Sequence, residues 1–303
     1  MFRFGSLPNG RKKESAMKKL SLSLLAVLFA VLFAAVPVRA QDEVTFAMLP
    51  QMSNVELAKC WKPLLAQLEK ETGIKFKQVF ANNFDEHVAM CKDGRIEVAY
   101  SNPFTFVQMI DPSVNKSLVH KAVGVADAKE GALFYGEFIV HADNADIRKF
   151  SDIKGKTGMV VGFDSAGGYI FQQGYALDNG FSLKTDCKIT EAPGNKQEKV
   201  VNAVYFREVD FGCVRDGMVK KMKDKIDTTK IKVIASTPKY PGWAVSISSK
   251  VDKATAEKIA KAFAAIPADV MKAAALPGGV TGFKPASNSD FDSIKTLSKK
   301  LGE

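Results

Sequence analysis

The chain has 303 residues, of which 46% are hydrophobic and 25% are charged, and its formal net charge is +10. Seven of the 43 basic side chains and one of the 33 acidic side chains lie in residues 1–40, so residues 41–303 carry 36 and 32, a net charge of +4. This near balance argues against a nucleic-acid-binding protein, which presents a concentrated basic face. Residues 41–303 are numerous enough for one large core or two modest ones.

Residues 1–40 have the features of a secretory signal peptide that is cleaved before Gln41. A basic stretch precedes the apolar run LSLSLLAVLFAVLFAAV at 20–36, and the segment VRA at 38–40 places small residues where signal peptidase needs them. The apolar run is near the lower length limit for a membrane span, and Met17 is an alternative start. We therefore predict export to the periplasm.

Hydrophobic periodicity predicts two α/β units after the signal peptide. In the first unit strands and helices alternate, at residues 44–49, 54–72, 74–80, 83–92, 96–100 and 103–109. This order is typical of an open parallel sheet flanked by helices. Two strands follow at 118–123 and 133–141. The second unit covers roughly residues 140–235, with strands and helices at 150–156, 157–163, 169–180, 187–191, 196–205, 209–214 and 216–225. Two strands within 231–248 and helices at 253–273 and 288–301 complete the chain.

The C-terminal helices have no sheet of their own, so the chain is expected to return to its first unit. We predict an α/β fold of two lobes, each a mainly parallel sheet flanked by helices, joined by two hinge strands near 134–138 and 235–245. The predicted boundaries are 1–40 for the signal peptide, 41–137 and 239–303 for lobe I, and 138–238 for lobe II. A cleft between the lobes is the expected binding site.

The four cysteines are Cys60, Cys91, Cys187 and Cys213. Export permits disulfides, and four cysteines allow three pairings. The pairing to test first is Cys187 with Cys213, because both lie near adjacent predicted strands; the alternative is four free thiols. No two cysteines have the close spacing of a zinc site, and we predict no metal or cofactor.

Three segments occur in an order and at a spacing that are specific when taken together. They are GRIEVAYSNPFTFV (94–107), DIKGKTGMVVGFDSAGG (152–168) and AVYFREVDFGCV (203–214). With the first helix, they resemble the phosphate/phosphite/phosphonate-binding proteins of ABC importers. The resemblance covers nearly all of residues 41–303 and implies a type II periplasmic-binding fold, which closes on its ligand like a hinged clamp.

The resemblance implies a periplasmic solute-binding protein that captures a small oxyanion or phosphonate-like ligand and delivers it to a membrane ABC permease, as a monomer. The alternative is a periplasmic sensory protein that delivers its signal to a receptor or kinase, and the sequence does not separate the two. No nucleophile elbow, P-loop or zincin motif occurs, so we predict no enzyme.

Ligands of parallel α/β sheets bind beside the loops at the carboxyl ends of the strands. In the loop 164–169, the N–H groups at the start of a helix suit a phosphate-like anion. The family has hydroxyl side chains at this turn. Here Ser165 keeps one, but Ala166 and Gly167 do not, so two side-chain donors are lost. The alternative is that Asp164 or Ser165 only caps the helix.

Three further polar residues in the second lobe are candidates. Asn195 and Gln197 lie where the family has a histidine at a helix start, and their amides are able to donate to an oxyanion. Asp210 matches the aspartate of the family's Val-Asp motif and is expected to bind an amino or hydroxyl group of the ligand. Alternatively, Asp210 pairs with Arg215 or caps a helix near residue 216.

Aromatic residues of the first lobe are expected to form an apolar wall. Phe84, Phe104 and Phe106 lie where the family has tyrosines or other aromatics, and Tyr135, Met48, Tyr240 and Trp243 extend the wall. Aromatic faces favour flat, apolar or cationic groups. Asn102 is a polar candidate in the same region. The alternatives are that the phenylalanines belong to the core and that Asn102 supports the turn before Pro103.

Overall fold

A computed structural model describes residues 1–2, 5, 41–110, 120–128 and 131–302 of the chain. The predicted signal peptide falls almost entirely outside the described residues, and Gln41–Glu303 form one unit. No helix in the described ranges has both the length and the apolar character needed to cross a bilayer.

The regular elements are numbered in chain order. The strands are β1 Glu43–Met48, β2 Lys75–Gln78, β3 Val98–Ser101, β4 His120–Ala128, β5 Leu133–Phe134, β6 Gly136–His141, β7 Thr157–Val160, β8 Lys188–Glu191, β9 Phe211–Arg215, β10 Ile231–Ser236, β11 Tyr240–Pro241, β12 Ala244–Ser248 and β13 Val280–Pro285. The helices are α1 Asn54–Thr72, α2 Phe84–Lys92, α3 Pro103–Met109, α4 Ile170–Asp178, α5 Leu183–Asp186, α6 Gln197–Tyr205, α7 Met218–Lys221, α8 Lys253–Ala264, α9 Ala268–Ala274 and α10 Asp292–Leu301.

Two large sheets define two lobes. The first lobe is built on a six-stranded sheet of order β13-β4-β12-β3-β1-β2, and the second lobe on a five-stranded sheet of order β10-β6-β9-β7-β8. Between them, β5 and β11 pair antiparallel as a short two-stranded sheet. These two strands lie at the predicted hinge. Because β12 inserts between β3 and β4, the chain does return to the first sheet; the residue boundaries of the two lobes stay a prediction.

Each sheet is mixed, although we expected mainly parallel sheets. β1 pairs parallel with β2 and β3, and β7 pairs parallel with β8 and β9. The other pairings in the two sheets, including those of β4, β6 and β12, are antiparallel. Parallel pairing occurs where helices connect the strands, because parallel strands need a long crossover connection.

Helix α1 illustrates how local sequence fixes an element. Its bounds, Asn54–Thr72, are those predicted. At its start the Ser53 hydroxyl accepts from the Glu56 N–H, and the Glu56 carboxylate accepts from the Ser53 N–H, which is a capping box. At its end Gly73 adopts φ +67°, a conformation that glycine tolerates without strain. Pro63 lies inside the helix.

The two largest of four hydrophobic clusters among the described residues hold most of the core. One packs α1, α8 and α9 on the first sheet around the fully buried Trp61. The other lies under the second sheet and continues to α3 and α10, where the Phe106 and Phe291 rings are 4.7 Å apart. Leu297 of α10 also packs against Gly174 of α4. Helix α10 therefore contacts elements of both lobes.

All four cysteines are free thiols in the structure. Of the two alternatives left open by the sequence, the structure has the free thiols and not the Cys187–Cys213 pair. The Cys187 thiol instead donates to the Ile153 carbonyl at 3.3 Å, and Cys213 is fully buried in the core. Desolvation raises the pKa of Cys213 well above its ordinary value, so this thiol is poorly reactive.

Candidate functional site

A cavity of about 90 Å³ lies where loops of both lobes face each other beside the hinge. The loops at the carboxyl ends of β1, β3, β7 and β9 contribute to its wall, which is the edge predicted for a ligand. The residues that line it are Gln51, Phe84, Asn102, Phe134, Val161, Ser165, Ala166, Gly167, Asn195, Gln197, Arg215 and Trp243.

The turn that leads into α4 forms one wall of this cavity. Ala166–Gly168 make a single 3-10 turn whose later amides are used, since Tyr169 N–H donates to the Ser165 carbonyl at 2.9 Å. The N–H groups of Ala166 and Gly167 have no backbone acceptor among the described residues. Such amides at the start of a helical segment are available to an anion. The Ser165 side chain makes no capping hydrogen bond.

Glycine is required at position 167. A Cβ there would lie 2.8 Å from the Phe134 ring and 3.0 Å from the Arg215 Cβ, both closer than side chains pack. Phe134 is buried and packs against Phe171 with ring centroids 5.0 Å apart. The phenylalanine ring therefore occupies the space into which a side chain at position 167 would extend.

Gln172 locks this turn to the second sheet. Its side-chain N–H₂ group donates to the carbonyls of Gly167 at 2.9 Å and Val214 at 3.0 Å. Gln172 is fully buried, and its amide lies against Gly136, where a Cβ would be only 2.3 Å away. One buried amide thus fixes the 3-10 turn relative to the end of β9, where Arg215 follows Val214.

The predicted amides Asn195 and Gln197 both line the cavity. The Asn195 side chain donates to the Val161 carbonyl at 3.0 Å and lies directly over Gly162. The Gln197 side-chain oxygen accepts from the backbone N–H of Arg215 at 3.0 Å. Both side chains thus tie the loop before α6 to the strands that carry the turn and Arg215.

Arg215 is the cation of this cavity, and it was not among the predicted ligand residues. Its guanidinium carbon lies 5.0 Å from the centre of the Phe134 ring, within cation–π range. A guanidinium nitrogen lies 3.7 Å from the Asp216 carboxylate, and the side chain is 24% exposed. The guanidinium brings a full positive charge and several N–H donors to the cavity wall.

The first lobe contributes shape and an amide. Phe84 and Asn102 line the cavity as predicted, together with Trp243. The Asn102 side-chain oxygen accepts from the Thr105 N–H at 2.9 Å, so Asn102 also caps α3, which was the alternative. The Trp243 ring packs on Tyr100 at a centroid distance of 5.2 Å.

Four residues of the predicted aromatic wall, Phe104, Phe106, Tyr135 and Tyr240, do not line the cavity, and neither does Met48. Phe104 and Phe106 are buried in the core, because the short helix α3 is covered on nearly every face. Tyr135 lies in the hinge, where Lys239 approaches its ring at 5.9 Å and its backbone N–H donates to Asp216 at 3.4 Å. The structure therefore favours the core alternative for the two phenylalanines.

Asp210 lies at the wrong end of its strand for the predicted role. Its carboxylate accepts from the Thr157 N–H at 2.9 Å and the Thr157 hydroxyl at 2.7 Å. Thr157 begins β7, and β7 and β9 run parallel, so both residues lie at the amino edge of the sheet. The cavity lies at the carboxyl edge. Asp210 neither pairs with Arg215 nor caps a following helix; it holds two strand starts together.

A comparison with models of protein families identifies the family of this chain. Residues 46–291 match the model of the periplasmic substrate-binding protein of phosphonate ABC transporters. The matched span includes all of both sheets except the first three residues of β1, and every residue of the cavity wall. The chain belongs to this family.

Individual relatives and solved structures that are similar to this chain agree with the family match. The phosphate-import protein PhnD of Mycolicibacterium smegmatis is 25% identical over 193 residues, which are 61% of this chain and 59% of that relative's own length. Among solved structures, a binding-protein component of an ABC phosphonate transporter from Pseudomonas aeruginosa aligns with a TM-score of 0.67 at 18% identity, over 85% of this chain and 86% of the other. PhnD1 from Prochlorococcus marinus in complex with methylphosphonate aligns with a TM-score of 0.70 at 12% identity, over 86% and 98%. These structures show that the fold is the two-lobed type II periplasmic-binding fold.

The residues that sequence reasoning missed had weak signals. Gln51 follows β1 and Arg215 ends β9, at the carboxyl edge where ligands were expected to bind, yet neither residue was chosen. For Arg215 the usable signal was a charged residue at the end of the otherwise uncharged, buried strand FGCVR. Phe134 and Val161 read as strand residues, and nothing in their local sequence marks them as cavity wall.

Proposed function

We propose that this protein binds phosphate or a small phosphonate between its lobes in the periplasm and delivers it to a membrane ABC permease. The family match covers most of the chain, and one relative carries the name of a phosphate-import protein. A family of periplasmic binding proteins implies that location and that partner. Closure of the lobes over the ligand is the expected switching motion.

The observation that carries the proposal is the joint position of Arg215 and the Ala166–Gly168 turn on one cavity wall. Two backbone N–H groups without backbone acceptors and one guanidinium supply donors to the same space. Donors of this kind form charge-assisted hydrogen bonds to phosphate oxygens. This chain lacks the family's hydroxyl side chains at Ala166 and Gly167. The charge of Arg215 compensates for the loss of these hydrogen-bond donors.

The cavity supports binding rather than catalysis. Ser165 is the only hydroxyl-bearing side chain among the described residues of the wall. None of the three histidines lines it: His87 and His120 are buried in the first lobe, and His141 ends β6. We therefore propose that the protein releases its ligand unchanged.

The test is calorimetric titration of residues 41–303 with inorganic phosphate and with methylphosphonate, accompanied by thermal unfolding. Binding should raise the unfolding temperature in a concentration-dependent way. Arg215→Gln should weaken binding by about tenfold to a hundredfold, because one charge-assisted interaction contributes about 1.5–3 kcal/mol.

Arg148→Gln is the matched control, since Arg148 is an exposed arginine of the same lobe. It should bind as tightly as the unaltered protein. The proposal is wrong if neither anion binds the unaltered protein, or if both arginine variants bind equally well.

A further inference from the structure

A second and larger cavity opens on the other side of Arg215. Its volume is about 420 Å³, against about 90 Å³ for the first. The two cavities share Phe134, Arg215 and Trp243 as wall residues. The two cavities therefore adjoin each other at these three side chains.

The charge of the larger cavity is strongly positive. Its described wall contains four basic residues, Arg215, Lys220, Lys221 and Lys223, and one acidic residue, Asp216. The Asp216 carboxylate is already used, since it accepts from the Tyr135 N–H and lies 3.7 Å from the Arg215 guanidinium. No ion pair joins any of the three lysines to a carboxylate in the described part of the chain.

The positive groups belong to the second lobe, and the head of Arg215 reaches a backbone wall of the first lobe. A Cβ at Gly278 would lie 2.5 Å from an Arg215 guanidinium nitrogen, so the head of Arg215 lies against the loop that precedes β13. Partial desolvation, and then the charge of Arg215, lower the pKa of Lys221. Desolvation, and then Asp216, raise the pKa of the neighbouring Glu137 to about 7, which limits its opposing charge at neutral pH.

The smaller cavity differs in chemistry. Apart from Arg215 its polar wall consists of amides, one hydroxyl and backbone N–H groups. These groups suit one compact oxyanion head. The larger cavity adds apolar surface from Tyr100, Trp243 and Val280 to its cations, which suits an organic chain that ends in a second acidic group.

We propose that the ligand is a dianionic organic phosphonate or phosphate ester, with its phosphorus oxyanion in the smaller cavity and a carboxylate or second oxyanion in the larger, lysine-lined cavity. This inference rests on the proposed function, because it assumes that the smaller cavity holds the phosphorus group. An aminoalkyl phosphonate is disfavoured, because its ammonium group would face the lysines.

The experiment compares two probes of equal length by titration calorimetry at low salt. Propylphosphonate has only the phosphonate head, and 3-phosphonopropanoate adds a terminal carboxylate; butylphosphonate and 4-phosphonobutanoate repeat the comparison with a longer chain. In at least one pair the carboxylate should tighten binding by about tenfold or more. The triple variant K220Q/K221Q/K223Q should abolish that difference and leave the alkylphosphonate affinity within about twofold.

The matched control is K258Q/K261Q/K272Q, which removes the same charge from exposed lysines of α8 and α9; it should keep the carboxylate preference. The inference is overturned if both pairs show equal affinities, or if the preference survives the first triple variant. It is also overturned if that variant weakens the alkylphosphonates, since the lysines would then hold the phosphorus group. Binding of the alkylphosphonates to the unaltered protein tests the proposed function separately.

Discussion

The two lobes use their polar side chains differently around the cleft. In the first lobe Ser53, Asn83 and Asn102 each cap a helix, so their oxygens are committed to the fold. In the second lobe the 3-10 turn has no side-chain cap, and Arg215 and three lysines face cavities.

This difference indicates a division of roles between the lobes. The first lobe provides a rigid, largely apolar surface, and the second lobe provides the donors and the positive charge. Ligand discrimination by charge should therefore respond to changes in the second lobe, whereas changes inside the first lobe should act mainly on stability.

The largest change in ligand affinity that tests this comparison is expected from a substitution at Gly167. Gly167→Ser adds back a hydroxyl of the kind the family carries, but its Cβ would collide with Phe134 and Arg215. We expect affinity for methylphosphonate to fall by about tenfold or more, because displacement of Arg215 removes a charge-assisted hydrogen bond. Titration calorimetry measures this.

Ala166→Ser is the control for that change. Residue 166 already has a Cβ, so the added hydroxyl causes no backbone collision of the kind expected at position 167. Its affinity should stay within a few fold of the unaltered protein. A Gly167→Ser variant that binds more tightly than the Ala166→Ser variant would show that a hydroxyl donor matters more than the position of Arg215.

An effect of intermediate size is expected inside the first lobe, where two histidines are buried. The His87 Nε2 lies 2.8 Å from the Ser101 hydroxyl, and the His120 Nε2 lies 3.1 Å from the Ile96 carbonyl. Desolvation lowers the pKa of His87 to about 3, with His120 adding to the effect, and lowers the pKa of His120 to about 4. Both residues are neutral in the folded protein at neutral pH.

The sign of the pH dependence follows from these shifts. The unfolded chain takes up protons near pH 6.5, the ordinary histidine value, while the folded chain does not. The two histidines therefore cost no unfolding free energy above about pH 6.5. As the pH drops toward 4, the free energy of unfolding falls by up to about 1.4 kcal/mol per pH unit for each histidine. Urea unfolding of the ligand-free protein between pH 7.5 and 4.5 measures this.

His120→Gln keeps a donor for the Ile96 carbonyl but takes up no proton. Its unfolding free energy should therefore depend less steeply on pH than that of the unaltered protein. Identical slopes for the two proteins would mean that His120 is not a source of the acid sensitivity.

The smallest effect on stability is expected for a substitution at Asp210. It tests whether every polar residue of the second lobe affects ligand binding, or only those at the carboxyl edge of its sheet. Asp210→Ala removes the acceptor of two Thr157 hydrogen bonds at the amino edge. We expect a loss of about 1–2 kcal/mol in the free energy of unfolding and no change in anion affinity. Reduced affinity together with unchanged stability would place Asp210 in ligand recognition after all.

Much of the fold was readable from local sequence, because several elements carry their own boundaries. Helix α1 was predicted to the residue from the helical spacing of its apolar side chains and from Gly73, which ends it. The capping box of Ser53 and Glu56 marks its start in the structure. Strand β13 was missed. It lies between Gly278-Gly279 and Pro285, and its pairing with β4 is irregular, so no alternating pattern marks it. Its place is set by β4, a partner far away in sequence.

The sequence indicated which loops face the cavity, but not which side chains line it. Ser165, Ala166, Gly167, Asn195 and Gln197 line the cavity, and the turn and the loop before a helix have sequence signals that made them candidates. Asp210 and Arg215 show the limit. They flank one strand, and five residues of strand span about 16 Å. Choosing between the two ends required the direction of β9 relative to β7, which only the sheet defines.

Helix α10 bears on how the lobes are able to move. The short turn before it packs beside hinge strand β11, and the helix touches α3 of one lobe and α4 of the other. Two bodies that are joined only by adjacent strands are free to twist as well as to bend. A third attachment near the same line resists torsion, so we expect α10 to leave bending as the softest relative motion. The two cavity walls would then meet again in the same register at every closure.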